Sequence, residues 1–205
     1  MSPSKYVYDF SEGNASMKPL LGGKGANLAE MTGLGIPVPP GFTVTTAACV
    51  YYSAHGEYPA GLREEIEEHL HRLEKLTGKT LGDPKNPLLL SVRSGAVFSM
   101  PGMMDTVLNL GLNDETVEGM VQATGNPRFV YDSYRRFISM FGDVVMGVDS
   151  QAFEDALTAK KAEVGAKLDT DLTADDLRDL TVRFKKILGE HAGEQFPNDA
   201  IKQMH

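Results

Sequence analysis

A proline-rich segment constrains the fold of this chain more than any other sequence feature. The segment Ile36-Pro37-Val38-Pro39-Pro40-Gly41 has three prolines in four residues, and proline, which lacks a backbone N–H, cannot continue a helix. Before it, Leu20 to Gly35 predicts a glycine turn followed by a short helix. Strands are predicted on either side, at Tyr6 to Phe10 and at Phe42 to Thr45. This alternation of strand, turn and helix predicts an α/β (α+β) fold.

Two later segments have clear hydrophobic patterns. From Gly61 to Leu76 the apolar residues follow one another at steps of four, four, three and three, which predicts a surface helix with one buried stripe. The stripe consists of Leu62, Ile66, Leu70, Leu73 and Leu76. The apolar run Leu88 to Val92, bounded by Pro87 and Gly95, predicts a strand buried on both faces, with Arg93 at its C-terminal end.

The chain changes character beyond Gly111. Four segments favour helix there, namely Asp114 to Thr124, Arg128 to Met140, Gln151 to Val164 and Ala174 to Leu188. Thr173 followed by Asp176 resembles a capping box at the start of the last one. We therefore predict an α/β lobe over residues 1–112, a helical subdomain over 113–190, and in 191–205 the start of a segment returning to the lobe.

Charge and cysteine content exclude several classes of function. The formal charge of −8 repels polyanions, so nucleic acid is not an expected partner, and an anionic ligand requires a local cluster of positive groups. Cys49 is the only cysteine, which excludes an internal disulfide. The N-terminus has no apolar run suited to a signal peptide or a membrane span. We expect a cytoplasmic protein without a membrane partner.

The first candidate phosphate site is Leu21-Gly22-Gly23-Lys24-Gly25-Ala26-Asn27-Leu28. Its glycines allow the backbone to approach a phosphate, the following helix offers N–H groups, and Lys24 supplies a positive charge. The glycine spacing differs from a Walker A loop, and no Ser or Thr follows Lys24 to hold magnesium. A tight turn with a solvated lysine explains the same residues equally well.

The second candidate site begins at Ser91-Val92-Arg93-Ser94-Gly95-Ala96 and continues in Ser99-Met100-Pro101-Gly102-Met103-Met104-Asp105-Thr106. An arginine at the end of a strand can grip phosphate oxygens with two N–H groups at once. Ser94, Gly95 and Gly102 would direct backbone N–H groups toward the same anion. An arginine paired with a carboxylate is an equally weighted alternative.

Three other groupings predict structural roles. The aromatic and arginine residues of Asn126 to Phe137 suit a packed helix better than a nucleic-acid platform. His69 and His71 are two apart in a helix, so they diverge rather than converge on a metal. The acidic residues Asp169, Asp171, Asp175 and Asp176 lack the glycine and glutamate of a calcium loop. No metal site is predicted.

Taken together, these segments resemble a known family. Asn14 to Met17, Leu20 to Met31 and Pro37 to Thr43 resemble the start of the dikinases that form phosphoenolpyruvate. Ser91 to Ala96, Ser99 to Thr106 and Leu108 to Asp114 resemble the pyruvate, phosphate dikinase family in particular. The resemblance continues through Asn126 to Arg136 and Leu172 to Leu177, and so spans nearly the whole chain.

The resemblance implies part of an ATP-grasp-like domain that binds ATP with Mg²⁺. In such enzymes the terminal phosphoryl groups pass to a histidine on a swivelling domain, and from there to phosphate and pyruvate. It implies that Lys24 and Arg93 contact the triphosphate, that Gly102 and Met103 cover the terminal phosphate, and that Thr106 belongs to the same site. No catalytic residue is expected in this chain.

The resemblance also implies further domains downstream of this chain in the same polypeptide. A second ATP-grasp lobe with the metal-binding carboxylate and the phosphohistidine domain would be downstream partners in the same polypeptide, and the oligomeric state, homo-oligomer included, stays open. We therefore expect this chain alone to show no dikinase turnover. Three alternatives remain: a phosphoenolpyruvate synthase, a glucan dikinase, or a non-catalytic nucleotide-binding module. The methionine-rich loop, Met100 to Met104, argues against the first two.

Overall fold

The computed structural model describes residues 5–95 and 105–205, which form two compact units. The first unit comprises residues 5–78 with 94–95, and the second comprises residues 79–93 with 105–205. Both units combine helices with small two-stranded sheets, which confirms the expected mixture of α and β structure. The predicted limits at residues 112 and 190 remain a prediction.

The first unit follows the order expected from the proline-rich segment. Its elements are β1 (Val7–Asp9), α1 (Lys18–Gly33), β2 (Phe42–Val44), α2 (Thr46–His55) and α3 (Leu62–Thr77), with short 3-10 turns at Phe10–Glu12 and Ala15–Met17. Strands β1 and β2 pair antiparallel, with Val7 opposite Val44. The proline-rich segment connects α1 to β2 without helix, as predicted.

Helix α3 buries its apolar stripe within the first unit. Leu62, Ile66, Leu70 and Leu73 are buried, but Leu76 is 74% exposed, so the prediction was wrong at that position. The helix ends one residue later at Thr77, and Gly78 follows in a left-handed conformation. Three residues after Leu62, the Glu65 carboxylate accepts hydrogen bonds from the backbone N–H groups of Tyr6 and Val7, and this joins the helix to β1.

The second unit begins with short strands and continues with helices. Its elements are β3 (Thr80–Leu81), β4 (Pro87–Leu88), β5 (Leu90–Arg93), β6 (Thr106–Leu110), α4 (Asp114–Thr124), α5 (Pro127–Val144), α6 (Ser150–Val164), α7 (Ala174–His191) and α8 (Ala200–Met204), with a 3-10 turn at Asp169–Asp171. Strands β3 and β4 are parallel, whereas β5 and β6 are antiparallel. The four predicted helices are all present, and Thr173 and Asp176 form the predicted capping box.

The prediction of a strand buried on both faces was wrong. The predicted strand is interrupted at Leu89, which belongs to neither β4 nor β5. In β5 the residues Ser91, Val92 and Arg93 are exposed. A short apolar run bounded by proline and glycine does not distinguish a central strand from a strand at the edge of a small sheet. Arg93 therefore lies at the end of an exposed antiparallel strand, outside any parallel sheet.

Helices α5 and α7 form the core of the second unit. Tyr134, Phe137 and Phe141 of α5 contact the Phe196 ring edge to face, with ring centroids 5.6 to 6.2 Å apart. Helix α7 contributes buried apolar residues, among them Leu177, Leu180, Phe184 and Leu188. Within Asn126 to Phe137, the residues Tyr131, Tyr134 and Phe137 are thus buried in a core as predicted, whereas Phe129 is 52% exposed.

Two polar contacts, one turn apart, join α4, α5 and α7. In the first, Glu118 accepts a hydrogen bond from the Tyr131 hydroxyl at 2.6 Å and pairs with Arg178 at 2.5 Å. In the second, Asp114 accepts from Tyr134 at 3.1 Å and pairs with Lys185 at 2.5 Å. Each acid of α4 therefore satisfies a tyrosine of α5 and a cation of α7 at once.

A third polar cluster joins α6 to α7. Lys160 is 7% exposed, and its ammonium lies within 3.4 Å of carboxylate oxygens of Glu163, Asp176 and Asp179. Burial of a lone charge would be costly, so the three carboxylates compensate for it.

None of the helices within the described ranges is long and apolar enough to cross a membrane.

Substitution of Gly119 by alanine should destabilise the second unit. A Cβ at this position of α4 would lie 1.4 Å from the backbone carbonyl oxygen of Pro84, which cannot move without displacing its loop. We expect the free energy of unfolding to fall by about 1–3 kcal/mol, as in overpacked cores. Urea denaturation would measure this.

The matched control is Gly189→Ala in α7, where the added Cβ would meet only the tip of the Gln195 side chain at 3.0 Å. Alanine has the higher helix propensity, so this variant should be as stable as the parent or slightly more stable. Equal stability of Gly119→Ala and Gly189→Ala would contradict the packing of α4 against Pro84.

The second unit should lose stability in acid. Hydrogen bonds from Tyr131, Lys161 and Thr173 hold the pKa values of Glu118, Asp169 and Asp176 below their ordinary values of 4.5, 3.8 and 3.8. Below those ordinary values the unfolded chain binds more protons than the folded chain, so acid favours unfolding.

The free energy of unfolding should therefore stay level above about pH 5 and decrease as the pH falls through the lowered pKa values. Urea denaturation between about pH 2 and pH 6 would record this curve. Asp169→Asn should make its acid limb shallower, because one proton-binding group is removed. An unfolding free energy that does not change over this range would refute the argument.

Candidate functional site

The glycine segment forms a break inside α1. Gly22 has φ 70° and ψ 172°, a conformation outside the helical region that glycine adopts and other residues essentially do not. The helix continues after the break to Gly33. A helix that restarts in this way presents backbone N–H groups from its first turn, which suits an anion. A first helical turn thus begins at Lys18, and after Gly22 the helix restarts, as the predicted glycine turn followed by a helix led us to expect.

Gly25 lies one turn further and contacts β2 closely. A Cβ at Gly25 would come within 2.7 Å of the Thr43 Cγ2 atom, so only glycine fits without movement of that side chain. Between these two glycines, Lys24 is half-buried, and its ammonium donates a hydrogen bond to the backbone carbonyl of Ser94 at 3.1 Å. A lysine ammonium has three N–H donors, so this contact leaves capacity for an anion.

Arg93 and Thr106 lie directly opposite each other in the β5–β6 pair. The register pairs Val92 with Val107 and then Leu90 with Leu110, so β6 carries one extra residue between these pairs. Asn109 in this bulge has φ 62°. Because opposite residues share a face and successive residues alternate, Arg93 and Thr106 occupy the face opposite to Val107.

The environment of Arg93 favours the phosphate interpretation over the ion-pair alternative. Its side chain is exposed, and its Nε donates to the Ser91 hydroxyl at 3.3 Å. Within residues 5–95 and 105–205, no carboxylate forms an ion pair with it. The guanidinium therefore keeps its two Nη groups for another partner. Thr106 is half-buried beside it.

The other predicted site residues are distributed as follows. Gly102 and Met103 lie outside the described residues. Arg93 and Thr106 belong to the second unit, where the structure brings them together, and Lys24 belongs to the first unit.

One polar cluster of the first unit was not predicted from the sequence. His69 is buried, and its Nδ1 lies 2.5 Å from a carboxylate oxygen of Asp9, a residue 60 positions away. Glu12 lies beside them, so the three residues bring potential metal ligands within 4.8 Å of one another. However, Lys5 pairs with Glu12 at 2.5 Å and Arg72 pairs with Asp9 at 3.3 Å. These two cations already neutralise the carboxylates, so the cluster serves to join β1 to α3.

His71 points elsewhere and pairs with Glu74 at 3.0 Å, which confirms the predicted divergence of the two histidines. No signal in the sequence marks the Asp9–His69 contact, because it depends on how β1 packs against α3.

Comparison with known proteins supports the resemblance noted in the sequence. Residues 18–76 match the family model described as the AMP/ATP-binding domain of pyruvate phosphate dikinase. This range includes the break at Gly22 and Lys24.

Curated relatives match a larger part of the chain. The pyruvate, phosphate dikinase of Clostridium symbiosum is 57% identical over 203 residues, which cover 98% of this chain and 23% of the relative. The chloroplastic enzyme of Flaveria trinervia is 58% identical over 205 residues, covering 98% of this chain and 21% of the relative. The Rhizobium meliloti protein of the same name is 53% identical over 206 residues, covering 98% and 23% respectively.

The chain thus spans about a fifth of the length of these curated relatives. The family expected from the glycine and methionine segments is confirmed: along 98% of its length, this chain is related to the pyruvate, phosphate dikinases.

Proposed function

We propose that this chain is an ATP-binding portion of a pyruvate, phosphate dikinase. In the proposed reaction, phosphoryl groups of ATP pass through a histidine of another domain to phosphate and pyruvate, giving AMP, diphosphate and phosphoenolpyruvate. The observation that carries the proposal is the exposed Arg93 guanidinium, which has no carboxylate partner among the described residues and lies beside the Thr106 hydroxyl. The names of the relatives favour this dikinase over a phosphoenolpyruvate synthase or a glucan dikinase.

Arg93 is proposed to grip phosphate oxygens through its Nη groups. A guanidinium binds two phosphate oxygens in a fixed plane, and phosphoryl transfer depends mainly on positioning and on neutralising charge. Lys24 is proposed to contact phosphate as well, with help from backbone N–H groups after the break at Gly22. Gly102 and Met103 keep their proposed role as cover for the terminal phosphate.

Magnesium is proposed to enter with ATP. Lys24, Arg93 and Thr106 supply cationic groups and one hydroxyl, but no carboxylate, and Mg²⁺ prefers oxygen ligands with negative charge. The phosphates of ATP and carboxylates outside this chain would therefore hold the ion. The residues of this chain would bind and orient the phosphates around it.

The remaining machinery is proposed to belong to other parts of a longer polypeptide. An ATP-grasp-like fold would need a second lobe, and transfer would need a swivelling domain that carries the phosphorylated histidine. The 205 residues alone are therefore expected to be inactive as a dikinase. A cytoplasmic location is proposed on the evidence of the single cysteine, whereas the Flaveria trinervia relative is named as chloroplastic.

Replacement of Arg93 by alanine should impair phosphoryl transfer in the full-length protein. Loss of a charged hydrogen-bonding group should reduce labelling of the downstream histidine by γ- or β-labelled ATP about tenfold to a hundredfold. Arg93→Lys should recover only part of the lost labelling, because lysine cannot contact two oxygens in one plane.

The matched control is Arg136→Ala, which removes an arginine that is 58% exposed and paired with Asp132 on α5 of the same unit. Its labelling should equal that of the parent protein. If Arg93→Ala is labelled as fast as the parent protein, Arg93 does not bind ATP and the proposed function loses its main support.

Replacement of Gly22 by alanine should damage the break in α1. A side chain at φ 70° and ψ 172° is strained by about 1–3 kcal/mol, so the turn should shift or the first unit should lose that stability. We expect weaker binding of MgATP, measured by isothermal titration calorimetry, together with a lower melting temperature.

Gly33→Ala is the control, because Gly33 is the last residue of α1 and an added Cβ would contact nothing within 4 Å. This variant should bind MgATP as the parent protein does. Unchanged ATP affinity and stability in Gly22→Ala would show that the backbone break is not required.

A further inference from the structure

We propose that Ser91 is a positioning residue for Arg93, which sets the guanidinium so that its two Nη groups meet the phosphate end-on. The proposal deepens the proposed function and rests on it. Strand formation gives Ser91 no role of its own, because its side chain is exposed.

The first argument is the direct contact. The Arg93 Nε donates to the Ser91 Oγ at 3.3 Å. A guanidinium has five N–H donors, one on Nε and two on each Nη. It can meet an oxyanion side-on, through Nε and one Nη, or end-on, through both Nη atoms. When Nε is occupied by the serine hydroxyl, the end-on pair remains.

The second argument is the strand geometry. Residues two apart on a strand point to the same face, so Ser91 and Arg93 both lie on the face opposite to the buried Val107. Thr106 lies opposite Arg93 on that face. The arginine is therefore bordered by two hydroxyl groups and by no paired carboxylate of the described chain.

The third argument is entropic. An exposed arginine without partners samples many rotamers, and fixing such a side chain on binding costs about 0.5–1.5 kcal/mol. A hydrogen bond made before ATP arrives reduces that cost. It also restrains the plane of the guanidinium, which a bidentate contact requires.

The test is a double-mutant cycle in the full-length protein, with MgATP affinity measured by isothermal titration calorimetry. Ser91→Ala should weaken binding about threefold to tenfold, as expected for one modest hydrogen bond. Ser91→Thr keeps the hydroxyl and suits a strand, so it should bind nearly as the parent protein does. In an Arg93→Ala background, Ser91→Ala should cause no further loss. Melting temperatures should be equal for both serine variants, since the side chain is exposed.

Each result distinguishes the two proposals. If Arg93→Ala weakens binding while Ser91→Ala binds as the parent protein does, the positioning role is refuted and the proposed function stands. Equal losses from Ser91→Ala with and without Arg93 would also refute it, because the serine would then act independently of the arginine. Failure of threonine to restore affinity would refute it even if Arg93→Ala abolishes measurable binding. If Arg93→Ala has no effect, the proposed function itself fails.

Discussion

The packing of β6 against α5 is the contact on which the candidate site of the second unit depends. A two-stranded antiparallel sheet is marginally stable on its own in water, so β5 and β6 need support on one face. Val107 and Leu110 of β6 are buried at 5% and 3% exposure, and β6 packs against α5. Helix α5 is held in turn by its packing against α7, by its ring contacts with Phe196 and by the polar contacts of Asp114 and Glu118. The position of Arg93 is therefore fixed by helices that follow it in the sequence.

Helices could be predicted well from this sequence, and the strands less well. The bounds of α4 were predicted as they occur, because an Asn cap, acidic first-turn residues and a terminal glycine mark both ends. Leu76 fits the periodic stripe of α3 but lies one residue from the helix end, where it is exposed. The burial of the strand containing Ser91 was predicted wrongly. Its apolar neighbour Leu88 belongs to the separate short strand β4, and Leu89 lies between the two strands.

Part of the chemistry of the candidate site could also be predicted from the sequence. Glycines beside a lysine predicted a backbone break, and Gly22 adopts one, because residue type limits the backbone locally. The pairing of Arg93 with Thr106 could not be predicted, since it depends on the extra residue that Asn109 accommodates in β6. A register without that bulge would place a different residue opposite Arg93. The Asp9–His69 contact could not be predicted from the sequence for a similar reason, because it joins elements 60 residues apart.

Electrostatics separate Arg93 from the five arginines of the chain that pair with carboxylates. Acidic residues outnumber Lys and Arg by 28 to 20, so an exposed arginine has many carboxylates to meet. Arg72, Arg135, Arg136, Arg178 and Arg183 all form ion pairs with them. Arg93 instead contacts a neutral hydroxyl, within the described chain. A carboxylate beside it would compete with a phosphate for the same N–H groups, whereas a hydroxyl orients the guanidinium and leaves its charge uncompensated. A net negative protein needs such a local exception wherever it is to bind an anion, and the Ser91–Arg93–Thr106 face provides one.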